Sequence, residues 1–209
     1  MLTLTSRNRP LAETAAMLRD HRKAQKVFFS RPRILRATLG QFGNIEIDFS
    51  ERNGEVFAHV HSHHLLVVEP AALSDHRYIR QAEYVALWQN ALKVSYKPIV
   101  DIRAIRSRSG QTDDPAAIRD AVREVCKYCL DTRGFLAHRN GEIFVRPEVA
   151  ATFALATHRV RFTSMDRIFL DARKHRARLH GAVQPPPVGP PAIGRPTPMS
   201  LDRPAGRGT

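Results

Sequence analysis

The chain reads, from residue 45, Ile45-Glu46-Ile47-Asp48-Phe49-Ser50-Glu51-Arg52-Asn53-Gly54-Glu55-Val56-Phe57-Ala58-His59-Val60-His61-Ser62-His63-His64-Leu65-Leu66-Val67-Val68. Ile45, Ile47 and Phe49 alternate with Glu46, Asp48 and Ser50, and a second alternating run goes from Val56 to Val68. A period of two sends successive side chains to opposite faces of a strand. Asn-Gly between two such runs is the strongest short-range sign of a β-hairpin, because it accommodates the positive φ angles of a type I′ turn. The stretch therefore reads as two antiparallel strands turning at Asn53-Gly54.

Working outward, Leu2 to Thr5 alternate as a strand does, and a helix-like stretch runs from about Leu11 to Phe29. Downstream, Ser74 or Asp75 can cap a helix reaching Leu92, with Ile79, Val85, Leu87, Trp88 and Leu92 as its apolar residues. Pro98 opens another strand through Ile105. Asp113 and Asp114 ahead of Pro115 announce the next helix, and Gly134 sits just beyond its end. Strand, helix, hairpin, helix, strand, helix is the order of an α+β domain, an antiparallel sheet with flanking helices. Past Gly134 the pattern gives a short strand at Ile143 to Val145, a helix from Pro147 to His158 and a basic stretch through Arg178. From Gly181 onward Pro and Gly dominate without a period, the composition of a disordered tail. Three parts follow: a domain over 1–134, a basic and mainly helical extension over 135–180, and the tail over 181–209.

With 43% hydrophobic and 25% charged residues the chain can bury a core. Its 33 Lys and Arg against 20 acids give a formal charge of +13 and a pI near 10.8. Such a field attracts a polyanion, and nucleic acid is the natural partner. A merely soluble basic protein is the lesser alternative that charge alone leaves, because pI speaks to association and not to chemistry. No apolar run reaches the roughly 18 residues of a membrane span, and no basic segment followed by an apolar stretch opens the chain, so the expectation is a cytoplasmic protein with no membrane partner. Cys126 and Cys129 form a lone C-x-x-C, whereas a structural zinc site of this kind wants a second pair. No Gly-rich phosphate loop ending in Lys-Ser or Lys-Thr is present, which excludes a P-loop ATPase.

The residues that can carry chemistry lie in the hairpin. The period of two places His59, His61 and His63 on one face and turns His64 to the other. Histidines at i and i+2 converge on one point and can share a metal ion. Glu46 and Asp48 share a face of the neighbouring strand; whether it is the histidine face depends on register, and solvated acids are the alternative. Two histidines with a carboxylate suit Mn²⁺ well and Mg²⁺ tolerably. On the helix after Pro115, Ile118, Val122, Val125 and Cys129 form one apolar stripe, with Tyr128 at its edge and Glu124 one turn earlier. An i, i+4 Glu and Tyr can present a carboxylate and a phenol to one phosphate, although a semi-exposed tyrosine over a core edge is the ordinary reading.

Taken together, these elements resemble the rolling-circle plasmid replication initiators of the HUH endonuclease superfamily. Leu2-Thr3-Leu4-Thr5-Ser6-Arg7-Asn8 is similar to the family's first motif, His61-Ser62-His63-His64-Leu65-Leu66 to its second, and Glu124-Val125-Cys126-Lys127-Tyr128 to its third, in the family's order. Leu87-Trp88 and the run from Lys97 to Arg103 are also typical of it. The likeness covers residues 2 to 132 and extends more weakly to about 170.

The resemblance implies that residues 1–134 form the nicking domain, with His61, His63 and Glu46 holding a divalent Mg²⁺ or Mn²⁺ and with Asp48 and His59 as further candidate ligands. It implies Tyr128 as the nucleophile that cuts single-stranded DNA at a plasmid origin and keeps its 5′ end, and Glu124 as the carboxylate that activates water to end the cycle. Trp88 or Phe57 could stack bases, if they are not core. Host helicase and polymerase are the implied partners. The alternative is a truncated or degenerate relative that binds origin DNA without cutting. Three departures stand out: family members carry residues ahead of the first motif, which here begins at Leu2; Asp131 replaces a common lysine; and Ser62 separates the histidines where a bulky apolar residue is usual.

Overall fold

A computed structural model describes residues 1–105, 115–126, 135–139 and 142–180. Leu2–Thr5 is strand β1 and Arg9–Pro10 a two-residue β2. After a 3-10 turn at Leu11–Glu13, Thr14–Phe29 winds as helix α1. Pro32–Ala37 is α2, with its proline at the helix start, where the missing N–H has no partner to lose. The two long strands follow: β3 at Gly40–Arg52 and β4 at Glu55–Val67. Between them Asn53 and Gly54 sit at φ 52° and 78°, the pair of positive angles that Asn-Gly supplies at least steric cost. Gln81–Leu92 is α3, Val100–Ile102 is β5 and Pro115–Val125 is α4. Leu136–Arg139 and Glu142–Val145 pair as β6 and β7, before α5 at Pro147–Thr157, β8 at Thr163–Met165 and α6 at Ile168–His180.

The main sheet runs β5-β1-β4-β3-β8, with β2 added against β4, and all its pairings are antiparallel. This is the α+β architecture with flanking helices that the sequence pattern implies. Past residue 134 the chain adds β8 to this sheet and Val149 of α5 to its core.

Alternation decides what each face does. Leu2 and Leu4 of β1 point to the same side as Ile45, Ile47, Ala58 and Val60, and the helices cover that side. Met17 and Leu18 of α1 pack under the hairpin, while Phe28 of α1 and Trp88 of α3 pack under β1. Trp88 is fully buried and its Nε1–H donates to the Thr5 carbonyl at 2.7 Å, so it is core and not a base-stacking platform. Each such fully buried apolar side chain contributes about 1.5–3 kcal/mol relative to exposure.

Three sequence expectations need correction. No helix starts at Ser74 or Asp75: Pro70–Leu73 is a 3-10 turn, and α3 begins only at Gln81. Asp75 Oδ1 accepts the Arg77 N–H at 2.7 Å, closing a turn two residues on with the same side-chain chemistry that caps helices. Ile79 is buried all the same, in extended chain ahead of the helix. The strand expected from Pro98 to Ile105 is confined to Val100–Ile102, the length over which β1 pairs with it. On α4, Val125 is buried but Ile118 and Val122 are exposed, so burial is confined to the C-terminal turn, where the helix meets β3 and β4. Cys129 and the tail from Gly181 lie outside the described residues.

Beneath the hairpin the core is polar. Ser6 Oγ lies 2.8 Å from His21 Nδ1, His21 Nε2 lies 3.0 Å from Ser62 Oγ, and Ser62 Oγ lies 3.0 Å from His64 Nε2. Gln25 Nε2 and Gln41 Oε1 complete the contacts of His64 at 3.1 and 3.0 Å. Ser62 thus stands between two buried imidazoles, which explains the departure from a bulky apolar residue. Gly43 lies directly opposite His64, and a Cβ there would come within 2.0 Å of the ring Nδ1. Gly43→Ala is accordingly expected to cost about 1–3 kcal/mol of unfolding free energy through overpacking.

Burial, aided by the neighbouring histidines, pulls both His21 and His64 from 6.5 down to about 3. The unfolded chain takes up these protons near pH 6.5 and the folded chain refuses them, so stability is full above that pH and falls as pH drops from 6.5 toward 3. Denaturant melts at successive pH values are expected to lose up to about 1.4 kcal/mol per pH unit for each histidine in that window. Equal stability at pH 7.5 and 5 would show that the network is not held neutral.

Candidate metal centre

Register settles which residues meet on the face opposite the one that α1, α3 and α5 cover. β3 pairs with β4 so that Glu46 lies opposite His61, Asp48 opposite His59 and Asn44 opposite His63. The two acids and the three histidines therefore share one face, as the sequence left open. β1 adds Thr3 opposite His63 and Thr5 opposite His61.

Glu46 Oε2 lies 3.2 Å from His61 Nε2 and 3.4 Å from His63 Nε2. On the other side of the same ring, His61 Nδ1 lies 3.6 Å from Asp48 Oδ2. Two ligand sets result, Glu46–His61–His63 and Asp48–His59–His61, each with one donor atom per residue within 4.8 Å of the others. They share His61, which uses Nε2 toward one carboxylate and Nδ1 toward the other. Imidazole is a donor common to Mn²⁺ and other transition ions, and carboxylate oxygen adds affinity for hard ions such as Mg²⁺.

Two observations test whether a cation fits. His61 Nδ1 is buried without a hydrogen-bond partner, an atom with donor capacity to spare for a ligand. Glu46 is four-fifths covered and, among the described residues, has ion pairs only with His61 and His63, neither of which is a fixed cation. Hydrogen bonds from these two rings hold its carboxyl far below the usual carboxylate range, so it is ionised at neutral pH. Burial, then the nearby His61, lowers the His59 pKa, which favours the neutral ring that a metal requires. The residues present fit a divalent cation.

Thr3 is the participant whose role sequence reasoning missed. Its Oγ1 lies 3.1 Å from His63 Nδ1, on the ring edge away from Glu46, and so fixes the ring with Nε2 toward the carboxylate. The alternation of Leu2-Thr3-Leu4-Thr5 carried the signal: the leucines enter the core, and the threonines must face the other way. Nearby, the Arg7 guanidinium lies 4.2 Å over the Tyr96 ring, whose hydroxyl accepts the Arg7 N–H at 3.1 Å. Glu124 sits half-buried in the last turn of α4, the helix packed against the two strands that carry the cluster. Tyr128 lies outside the described residues.

Fold and site define an antiparallel α+β domain that gathers carboxylates and imidazoles on one sheet face, a set able to hold a divalent cation. The family model described as "Replication protein" matches residues 1–180, and the chain belongs to this replication-protein family. It is 31% identical over 138 residues to "Protein rep" of Lentilactobacillus hilgardii, covering 66% of this chain and 42% of that protein. It is 32% identical over 137 residues to "Protein rep" of Lactiplantibacillus plantarum, covering 65% and 42%. With a "Replication protein" of Staphylococcus aureus the identity is 25% over 130 residues, 62% of this chain and 50% of that one. The chain thus spans about two fifths to one half of the length of these relatives. No solved structure matches.

If Thr3 orients His63, Thr3→Val weakens Mn²⁺ binding by roughly 10- to 100-fold, the usual effect of removing the partner behind a ligating histidine. Titration followed by the Mn²⁺ electron paramagnetic resonance signal measures it. Thr3→Ser is expected to restore most of the affinity, and unchanged binding in Thr3→Val would remove Thr3 from the site.

Proposed function

We propose that the chain initiates plasmid rolling-circle replication by metal-dependent, site-specific nicking and joining of single-stranded origin DNA through a 5′-phosphotyrosine. The observation that supports this reading most is the Glu46, His61 and His63 cluster on one sheet face, in a chain whose family is that of replication proteins. Glu46, His61 and His63 would hold Mg²⁺ or Mn²⁺, with Asp48 and His59 beside them. Once bound, the ion supplies Lewis-acid polarisation of the scissile phosphate.

The protein's own groups do the rest. The Tyr128 phenol loses its proton, its oxygen forms a bond to phosphorus, and the bond from phosphorus to the 3′ oxygen breaks. The released 3′ oxygen takes up a proton and becomes the hydroxyl from which a host polymerase extends, behind a host helicase. No high-energy cofactor is needed, because one phosphodiester is exchanged for another. To close the cycle a water oxygen bonds to phosphorus while Glu124 takes its proton, and the bond from phosphorus to the Tyr128 oxygen breaks, that oxygen taking up a proton.

Incubating the purified protein with Mn²⁺ and labelled single-stranded DNA spanning the origin of its plasmid tests the reading on a denaturing gel. A covalent adduct is expected, lost in Tyr128→Phe and in His61→Ala. Tyr128→Phe is expected to keep its salt-sensitive DNA binding, since a phenolic hydroxyl carries no charge at neutral pH. An equal adduct yield from Tyr128→Phe would dismiss that nucleophile. Binding without any adduct would favour a relative that grips origin DNA and does not cut it.

A further inference from the structure

The helix-covered side of the sheet has an opening of its own. Between α1 and the β8 edge lies a cleft of about 390 Å³, and its rim carries Arg22 and Lys26 of α1 and Arg161 ahead of β8. None of the three has an ion pair among the described residues, whereas other surface arginines do: Arg9 pairs with Asp20, Arg33 with Glu83 and Arg146 with Glu51. The one acid among the described residues that line the cleft, Asp166, is engaged, its Oδ1 accepting the Gln41 N–H at 2.8 Å and lying 3.6 Å from Arg167 Nε. Three uncompensated cations are thereby turned toward one concavity. Like charges gathered in this way repel one another, and an anion among them removes that cost.

The cleft backs onto the metal centre. Ile45 lines it while its neighbour Glu46 projects from the opposite face of β3, and β8, roughly 5 Å from β3, is the edge strand between the two faces. We propose that this cleft is a phosphodiester-binding site that takes the backbone of a duplex segment adjoining the single strand at the metal centre. The DNA then bends round the β8 edge, with the strand to be cut on the open face and its flanking stem held behind. Phosphate contacts of this kind position DNA without reading its sequence. That the polyanion is origin DNA rests on the nicking reading above; that the cleft takes phosphodiesters does not.

The test uses the full chain and fluorescence anisotropy over a range of NaCl concentrations, with a labelled DNA hairpin bearing a single-stranded arm and with the arm alone. The variant Arg22→Gln/Lys26→Gln/Arg161→Gln removes the cleft cations. A control, Arg36→Gln/Arg80→Gln/Lys93→Gln, removes the same charge from surfaces outside the cleft. The cleft variant is expected to bind the hairpin roughly 10-fold or more weakly, with the slope of log affinity against log salt shallower by about 2 to 3, while the arm alone binds as before. An unchanged hairpin slope, or an equal loss in the control, overturns the site. If the cleft variant loses calorimetric binding of free dAMP yet holds the hairpin as the parent does, the cleft takes a nucleotide and the DNA assignment falls. Absence of a metal-dependent adduct from the parent would count against nicking and leave the hairpin comparison intact.

Discussion

The hydrogen-bonded register of β3 against β4 is the constraint on which the rest of this structure depends. Because side chains alternate, a slip of one residue would exchange the two faces of each strand along the whole hairpin. His61 and His63 would enter the core, and Ser62 and His64 would be stranded on the open face. The turn at Asn53 and Gly54 resists such a slip from one end. The buried chain through His21, Ser62 and His64 resists it from the other, because its polar atoms find partners in one register only. Buried polar groups left unpaired cost on the order of 1–3 kcal/mol each. An apolar core at this point would tolerate displacement, and a satisfied polar one does not. The network behind the sheet and the ligand cluster in front of it are thus two consequences of one pairing.

That pairing also explains how much was legible in advance. Composition and alternation sufficed for the hairpin, its turn, the shared face of His59, His61 and His63, and the opposite pointing of His64. They could not say that Glu46 and Asp48 face the histidines, since that is a relation between strands, and a period of two within a strand carries no information about its partner. Thr3 was hidden for the same reason: its function is a contact across sixty positions of sequence. Ser62 looked like a defect in a motif because its partner His21 lies on α1, far away in the chain. Asp75 misled for a local reason, since a carboxylate that accepts an N–H serves a turn as well as a helix cap. The stripe on α4 misled because amphipathic spacing records which face could be buried, and only the final turn meets the hairpin.

The ligand cluster and the cleft behind it differ in charge, and the difference bears on how the proposed activity would be organised. A net charge of +13 attracts polyanions to the molecule as a whole, yet the metal-binding face of the sheet carries the ionised Glu46 beside Asp48. A phosphate brought to that face meets like charge unless a divalent cation is already between them. On the proposed reading, metal and DNA therefore bind reciprocally: whatever free energy the ion adds to DNA binding, the DNA adds to ion binding. On the proposed reading, the local field opposes the long-range one at the ligand cluster, where a phosphate would be activated rather than merely held. A cationic face throughout would bind DNA more tightly in the ground state and gain nothing at the reacting phosphorus, since binding that is equal in ground and transition states does not speed the chemical step. On the proposed reading, the acids of the ligand cluster serve activation and the cations of the cleft behind it serve holding, along a single bend in the DNA.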